Sequence, residues 1–229
     1  MIRPLLIGAI AAAAFASPAL AQDDTDNWTV SFGAATDYRS KGTSKTLGEP
    51  YVWIQTEWRS DDELFYAEAG LARVKQSFGS TLETEVRAGV RPEAAGFSFD
   101  LNALYRYYPG ANAGADDDYW EFTADASRSA GPVSGRLRLQ YSPDNAGSSH
   151  AFTYYEARLG YKLTPRLKVT GALGHRDTED SLDYTAWNAG FGYKVDDNVD
   201  LDLRWYDTDQ DSAGPQYEDA LVGAINFSF

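Results

Sequence analysis

Residues 97–108 read FSFDLNALYRYY, and apolar and polar side chains alternate along this stretch with one exception. A period of two is the period of a β-strand, whose side chains point alternately to opposite faces of a sheet. The stretch therefore predicts a strand with one apolar and one polar face. The apolar parity contains Phe97, Phe99, Leu101, Ala103, Tyr105 and Tyr107, and the polar parity contains Ser98, Asp100, Asn102 and Arg106, with Leu104 as the exception.

The same alternation recurs along the chain, and no convincing amphipathic helix interrupts it after residue 21. We predict twelve strands from this pattern, which makes the protein all-β. Their approximate bounds are 27–38, 51–59, 64–75, 80–91, 97–108, 119–128, 133–141, 152–162, 166–176, 184–194, 198–207 and 220–229.

The connections between these strands are alternately short and long. Those after even-numbered strands are short, such as "SAGP" and "LTP", whereas most of those after odd-numbered strands are long, such as "RSKGTSKTLGEP" and "TDQDSAGPQYED". Only "QSFG", between the third and fourth strands, breaks the rule. Short periplasmic turns and longer extracellular loops are typical of a transmembrane antiparallel β-barrel of the bacterial outer membrane. An even number of strands then places both termini in the periplasm.

The positions of the aromatic residues favour a membrane barrel over a soluble barrel or sandwich, which would share the same periodicity. On the apolar faces they cluster near the strand ends, where aromatic rings sit at the two lipid–water interfaces. Trp28 and Phe97 lie at the turn end, and Tyr38 and Trp120 lie at the loop end. The last strand, which ends on Phe229, is expected to pair with the first, because an open edge in lipid would leave backbone groups unpaired.

The start of the chain has the pattern of a secretory signal peptide. A basic residue, Arg3, precedes an apolar run, and Ala19-Leu20-Ala21 has the small-x-small pattern of a cleavage site. We predict a signal peptide over residues 1–21 and a barrel domain over residues 22–229; a retained anchor helix is the alternative. The chain has no cysteine, so disulfides do not hold the exported protein together.

The net charge and the predicted export to the outer membrane limit the kinds of partner that the protein can bind. The net charge of −14 excludes a nucleic-acid binder, which needs a basic face. The expected partners are outer-membrane lipid, lipopolysaccharide and the barrel-assembly machinery, the last acting through the C-terminal strand that ends at Phe229. A monomer is the default expectation, since no break in the apolar face marks a subunit contact.

Several segments resemble the proteobacterial TorF-like putative porin family over most of the predicted mature chain. They include "TDYRSKGTSKT", "LYRYYPG", "LQYSPDNAG" and "YTAWNAGFGYKV". The resemblance implies an outer-membrane channel, and it implies little about the solute. It carries over no catalytic residue.

Charged residues on the polar parity are the main functional candidates, and their two signs nearly balance. They either pair across strands and fill a narrow barrel, or line an aqueous pore and select solutes; both can hold together. The predicted pore-lining residues are Glu83, Glu85, Arg87, Arg91, Asp100, Arg106, Glu121, Arg136, Arg138, Glu156, Arg158 and Arg204. We therefore predict a channel for passive diffusion of small hydrophilic solutes or ions. A non-transporting structural or adhesive barrel is the alternative, and an outer-membrane enzyme is a less favoured one.

The loops carry most of the negative charge, for example at Asp116, Asp117 and Asp118, and the first long loop is the basic exception. Acidic loops at the mouth predict a mild cation preference. A ladder formed by the lumen arginines would instead predict anion preference. The candidates for that ladder are Arg87, Arg106, Arg136 and Arg138.

Other chemistry has weaker support. The acids Asp207, Asp209, Asp211 and Glu218 have the spacing of a calcium loop, but Ser212 stands where that loop needs glycine. Two histidines, His150 and His175, lie at predicted strand–loop junctions, the first beside Ser148 and Ser149, and adjacency in sequence is not the geometry of a catalytic triad. We predict no enzyme activity and no cofactor.

Overall fold

A computed structural model describes residues 27–146 and 150–229 of the chain. The predicted signal peptide lies outside the described residues, as do Ser148 and Ser149. Twelve long strands follow one another along the chain: β1 (Trp28–Ala35), β2 (Tyr51–Arg59), β3 (Phe65–Ser77), β4 (Ser80–Val90), β5 (Phe97–Tyr107), β6 (Asp118–Ala130), β7 (Val133–Asn145), β8 (His150–Lys162), β9 (Leu167–Thr178), β10 (Tyr184–Lys194), β11 (Val199–Thr208) and β12 (Ala220–Ser228).

Each strand pairs in antiparallel register with the next, and β12 pairs with β1, so the sheet closes into a barrel. Ser31 lies opposite Ser228 and Ala35 opposite Ala224 in the closing pair. The predicted all-β fold, a twelve-stranded antiparallel barrel, is confirmed. Three smaller elements complete it: a hairpin of Arg39–Ser40 with Thr43–Ser44, a two-residue strand Glu93–Ala94 beside β5, and a 3₁₀ turn Asp211–Ala213.

The closing pair extends to the last residue of the chain. The backbone amide of Val30 donates to the carbonyl oxygen of Phe229 at 2.8 Å, and the amide of Phe229 donates to the carbonyl oxygen of Val30 at 2.9 Å. The Phe32 ring stacks on the rings of Phe227 and Phe229, with centroid distances of 5.1 and 6.1 Å. The aromatic residues at the end of the chain therefore lock the two terminal strands together across the seam.

The connections give the barrel two distinct ends. Short turns over residues 60–64, 91–96, 131–132, 163–166 and 195–198 form the turn end, and the segments over residues 36–50, 108–117 and 209–219 form most of the loop end. Phe78–Gly79 is a tight turn at the loop end, with φ angles of 57° and 92°. Only glycine fits the second position, because a Cβ there would lie 2.5 Å from the Asn112 side-chain oxygen. No helix among the described residues has the length and apolar character needed to cross a membrane.

The barrel is apolar outside and polar inside. Val86, Leu137 and Leu159 are 58%, 65% and 69% exposed, whereas Glu83 and Glu121 are 0% and 2% exposed. A soluble protein buries its large apolar side chains, so this inverted distribution fits a barrel whose outer face meets lipid.

One outward assignment was wrong. Strand β1 ends at Ala35 rather than at Tyr38, because the chain bends inward beyond Ala35. The Tyr38 ring consequently stacks on Tyr51 at 4.6 Å, and its hydroxyl donates to Glu83 inside the barrel. Tyr38 belongs to the interior and not to an aromatic belt.

The lipid-facing assignment can be tested at Val86. We expect Val86→Arg to lower the free energy of unfolding by about 2–4 kcal/mol, the cost of arginine near the bilayer midplane. Val86→Leu is the matched control, because it keeps an apolar side chain at the same position. Urea titrations in lipid vesicles, followed by tryptophan fluorescence, measure both variants. Equal stabilities of the two variants would show that Val86 does not face lipid.

Candidate functional site

The carboxylate of Glu83 on β4 is fully buried in the interior of the barrel. The hydroxyls of Tyr38 and Tyr108 each donate to it at 2.7 Å, and Lys45 Nζ donates at 2.5 Å. Arg106 Nε lies 3.4 Å from it. Burying an ionised carboxylate is costly unless it is paired and hydrogen-bonded. Two hydroxyls and two cations meet that requirement here.

Arg106 on β5 connects Glu83 with two further glutamates. Its Nε donates to Glu85 at 2.8 Å, its Nη1 donates to the Tyr119 hydroxyl, and the same nitrogen lies 3.9 Å from Glu121. The residue is only 5% exposed. The rigid fork of a guanidinium suits this bridging position, since it presents several donors in fixed directions.

Glu121 on β6 receives a cation from a loop. Lys41 Nζ donates to its carboxylate at 2.5 Å, and Gln140 Nε2 donates at 2.7 Å. Lys41 and Lys45 both belong to the connection between β1 and β2, residues 36–50, which we call loop 1. Two lysines of loop 1 therefore form ion pairs with buried glutamates of the barrel wall, so loop 1 folds into the barrel.

Loop 1 is internally rigid. The Asp37 carboxylate, 4% exposed, accepts hydrogen bonds from Arg39 Nε at 2.5 Å, from the Ser44 hydroxyl at 2.5 Å and from the Thr46 hydroxyl at 2.7 Å. One carboxylate thus fixes both strands of the small hairpin. The hairpin keeps Lys41 and Lys45 aimed at their partners.

Loop 1 is also tied to the rim on two sides. The Ser44 amide donates to the Gln216 carbonyl oxygen at 2.8 Å, and Arg39 Nη1 donates to the Glu218 carbonyl oxygen at 2.8 Å. On the other side, the Lys75 amide on β3 donates to the Lys45 carbonyl oxygen at 3.0 Å. Loop 1 therefore runs from β3 to the loop before β12 and narrows the loop end of the barrel.

Further ion pairs fill the turn-end half of the interior. Arg91 binds Glu57 through two nitrogens, at 3.2 and 2.8 Å, and lies 3.4 Å from Asp100, which also accepts from the Tyr66 hydroxyl at 2.8 Å. Arg87 pairs with a glutamate of β3, Glu68, at 3.0 Å. These pairs link β2, β3, β4 and β5 across the polar face.

The opposite wall repeats the pattern. Arg138 binds Asp125 through two nitrogens at 2.8 and 2.6 Å, and Arg136 binds Glu156 at 2.5 Å. Arg158 lies 3.3 Å from Glu156 as well. The guanidinium of Arg204 donates to Asn188 and Thr170, each at 2.8 Å, and pairs with Asp202 at 3.0 Å; residues 170, 188 and 204 lie on three neighbouring strands.

Cavities remain at both ends of the interior. The turn-end cavity has a volume of about 690 Å³ and is lined by both signs of charge, including Arg59, Arg91, Asp100 and Asp125. The cavity at the loop end, about 420 Å³, lies between loop 1 and the wall. We call it the outer vestibule. It is bordered by Lys41, Lys45, Lys75, Phe78, Tyr108, Tyr119, Phe152 and Arg176, among others.

The twelve residues predicted to line a pore all form ion pairs within the barrel. This is the outcome expected if charged residues pair and fill a narrow barrel. Their role in lining a conducting pore stays a prediction. The four arginines of the suggested ladder each have a carboxylate partner, so they form no row of unpaired cations.

Sequence reasoning missed the inward course of loop 1 and the aromatic cluster beneath it. Val74, Tyr108, Tyr119, Phe152 and Tyr154 are buried together at the loop end of the interior. Strand parity could have placed these aromatic residues inside, because Tyr119 lies on the same strand face as Glu121, and Phe152 on the same face as Glu156. The basic charge of loop 1, among otherwise acidic loops, was the second signal.

The weaker candidates do not assemble into a site. Among the described residues, no three His, Cys, Asp or Glu side chains are placed to hold a metal ion, and Asp209 accepts from the Thr185 amide at 2.8 Å. The exposed His150 ring lies 3.7 Å from Asp144 and 3.6 Å from Asp180. His175, on the outer face, contacts the Thr185 hydroxyl at 3.0 Å.

The closed barrel with a polar, ion-paired interior defines a class, that of the porin-like β-barrels, and comparison with solved structures agrees. The chain superimposes on a structure titled "KdgM porin" with a TM-score of 0.62 at 10% identity, covering 88% of this chain and 99% of that one. A NanC porin gives a TM-score of 0.60 at 8% identity, covering 88% and 98%. At such identities the likeness establishes the fold alone.

The sequence itself belongs to the Gcw_chp family, described as "Bacterial protein of unknown function", whose model matches residues 21–224. A comparison with curated proteins finds no significant match. The porin fold is therefore established at the level of architecture, and the matched family carries no assigned activity.

The buried position of Lys41 predicts a measurable titration. Burial lowers the pKa of Lys41 from its ordinary value of 10.5 to about 8; nearby Arg106 and Arg176 act in the same direction, and Glu121 opposes them. Seated loop 1 consequently binds fewer protons than the unfolded chain between pH 8 and pH 10.5, so its stability rises with pH in this window.

Nuclear magnetic resonance of the protein with carbon-13 dimethylated lysines measures this pKa directly. One methyl signal should titrate near pH 8 and disappear in Lys41→Arg. A Lys41 signal that titrates near the ordinary lysine value of 10.5 would mean that loop 1 is not seated in the barrel.

Proposed function

We propose that the protein is a channel of the bacterial outer membrane, of the TorF-like porin type, for passive diffusion of small hydrophilic solutes. The observation that carries the proposal is the inverted polarity of the barrel. An apolar outer face suits lipid, and a charged interior with cavities at both ends suits water and polar solutes. The porins among the similar structures support the same conclusion.

The channel is narrow and is restricted by loop 1. Barrels of about eight strands are filled by side chains and those of about sixteen strands hold a wide channel, so twelve strands leave limited space. The ion pairs of Lys41 and Lys45 hold loop 1 in that space. Solutes of monosaccharide size would pass only when loop 1 and the interior side chains move aside.

The alternative is a barrel without transport, and one observation favours it. Leu104 and Tyr66, both interior, are 1% and 3% exposed, so side chains close part of the cross-section. A structural or adhesive barrel could be filled in this way throughout. Removing the obstruction at the loop end separates the two possibilities.

The test replaces residues 38–47 of loop 1 by a short glycine–serine linker and compares single-channel conductance in planar bilayers. We expect wild-type protein to show small unitary steps and the loop 1 variant to show several-fold larger ones. The matched control replaces residues 110–115, in the mostly exposed loop between β5 and β6, and should conduct like wild type.

The outcomes discriminate between the proposals. Absence of unitary conductance from both wild type and the loop 1 variant would reject the channel in favour of a non-transporting barrel. Equal conductance of wild type and the loop 1 variant would reject loop 1 as the restriction while leaving the channel.

A further inference from the structure

The outer vestibule is basic, unlike the larger cavity at the turn end. Four cations border it, and no described residue that lines it is acidic. The turn-end cavity, by contrast, is lined by five acids and three bases: Asp62, Glu63, Glu93, Asp100, Asp125, Arg59, Arg91 and Arg136. The vestibule is therefore a basic compartment beneath an acidic set of loops. A smaller cavity of about 270 Å³ is also basic, but two of its arginines, Arg136 and Arg158, are paired with Glu156.

One of the four cations lacks a carboxylate partner. Lys41 and Lys45 reach Glu121 and Glu83, and Lys75 pairs with Glu49. Arg176 on β9 forms no ion pair within residues 27–146 and 150–229, and its buried Nε has no hydrogen-bond partner there. A guanidinium held with an unused donor in a cavity is available to a ligand.

Arg176 is also held in place next to another positive charge. Its Cζ atom lies 4.3 Å from the centroid of the Phe152 ring, and Lys41 Nζ lies 5.0 Å from the same centroid. The ring attracts both cations, but the two cations repel each other. An anion beside them would relieve that repulsion and complete the hydrogen bonding of Arg176.

We propose that the outer vestibule binds a small hydroxylated carboxylate, of the size and chemistry of a sugar acid; this assignment rests on the proposed channel function, whose solute class it names. Arg176 pairs with the carboxylate, because the guanidinium fork matches its two oxygens. Leu47, which is 41% exposed, and the half-buried Phe78 ring line the same cavity and offer apolar surface to a sugar ring. A volume of about 420 Å³ accommodates one or two such rings.

Isothermal titration calorimetry of the detergent-solubilised wild-type protein gives the first test. We expect sodium glucuronate to bind and glucose, which lacks the carboxylate, to show no measurable heat. Inorganic phosphate should bind more weakly than glucuronate, because it offers charge without a sugar ring. Equal affinities for glucuronate and glucose, or for glucuronate and phosphate, would overturn the sugar-acid assignment without any variant being made.

The second test uses Arg176→Gln and a matched control. Arg128→Gln removes another arginine that lies over a phenylalanine ring, that of Phe97 at 5.1 Å, at the turn end of the barrel. We expect Arg176→Gln to weaken glucuronate binding at least about tenfold, as for the loss of a charge-assisted pair, and Arg128→Gln to bind like wild type. Heat-modifiable migration on denaturing gels verifies that each barrel is folded.

Wild-type affinity in Arg176→Gln would contradict the proposed site. Conductance without glucuronate binding would reject the solute assignment and leave the channel. Glucuronate binding that depends on Arg176, in a protein that does not conduct, would support the site and reject the channel.

Discussion

The antiparallel pairing of β1 with β12 is the interaction on which the rest of the structure depends. In an apolar surrounding, a strand edge without a partner leaves its amides and carbonyls unsatisfied, each at a cost of several kcal/mol. The seam between Ser31 and Ser228 removes both edges at once. Closure also creates the interior, because it gives every polar face a common enclosed space. The ion pairs that cross this space, such as that of Lys41 with Glu121, depend on closure.

That enclosed space explains why the interior charges form a network rather than separate pairs. Removing a carboxylate from water is costly, and a single partner repays the cost poorly. Glu83 therefore has two tyrosines, a lysine and an arginine around it, and Arg106 serves three glutamates. Outside this network, the Phe152 ring and not a carboxylate holds Arg176 at the outer vestibule. The same physical cost makes it the natural place for an anionic ligand.

Much of the fold followed from the sequence, because strand parity is a local property. In FSFDLNALYRYY the alternation alone separates Leu101, which faces out, from Arg106, which faces in. Loop 1 could not be placed in this way. Lys41 and Glu121 are eighty positions apart, so their pairing depends on the closed barrel and not on local pattern. Tyr38 was misplaced for the same reason. The basic vestibule could not be predicted from the sequence, because its residues come from β3, β8, β9 and loop 1. Only the basic composition of loop 1 was evident in the sequence.

The hydrogen bonds that hold loop 1 to the barrel have a consequence for the order in which the barrel assembles. Loop 1 is among the first barrel segments to be synthesised, but its backbone partners Gln216 and Glu218 lie in the connection just before β12. Contacts between such distant parts of a chain form late, since the intervening loop must first be ordered. The contacts of loop 1 with β3, β4 and β6 need none of these late residues, so loop 1 is held on one side first and on both sides only when the last strand arrives. Closure of the seam and completion of the loop 1 tethers therefore belong to one final step, and a chain stalled before β12 would be unsealed, with loop 1 secured on one side alone.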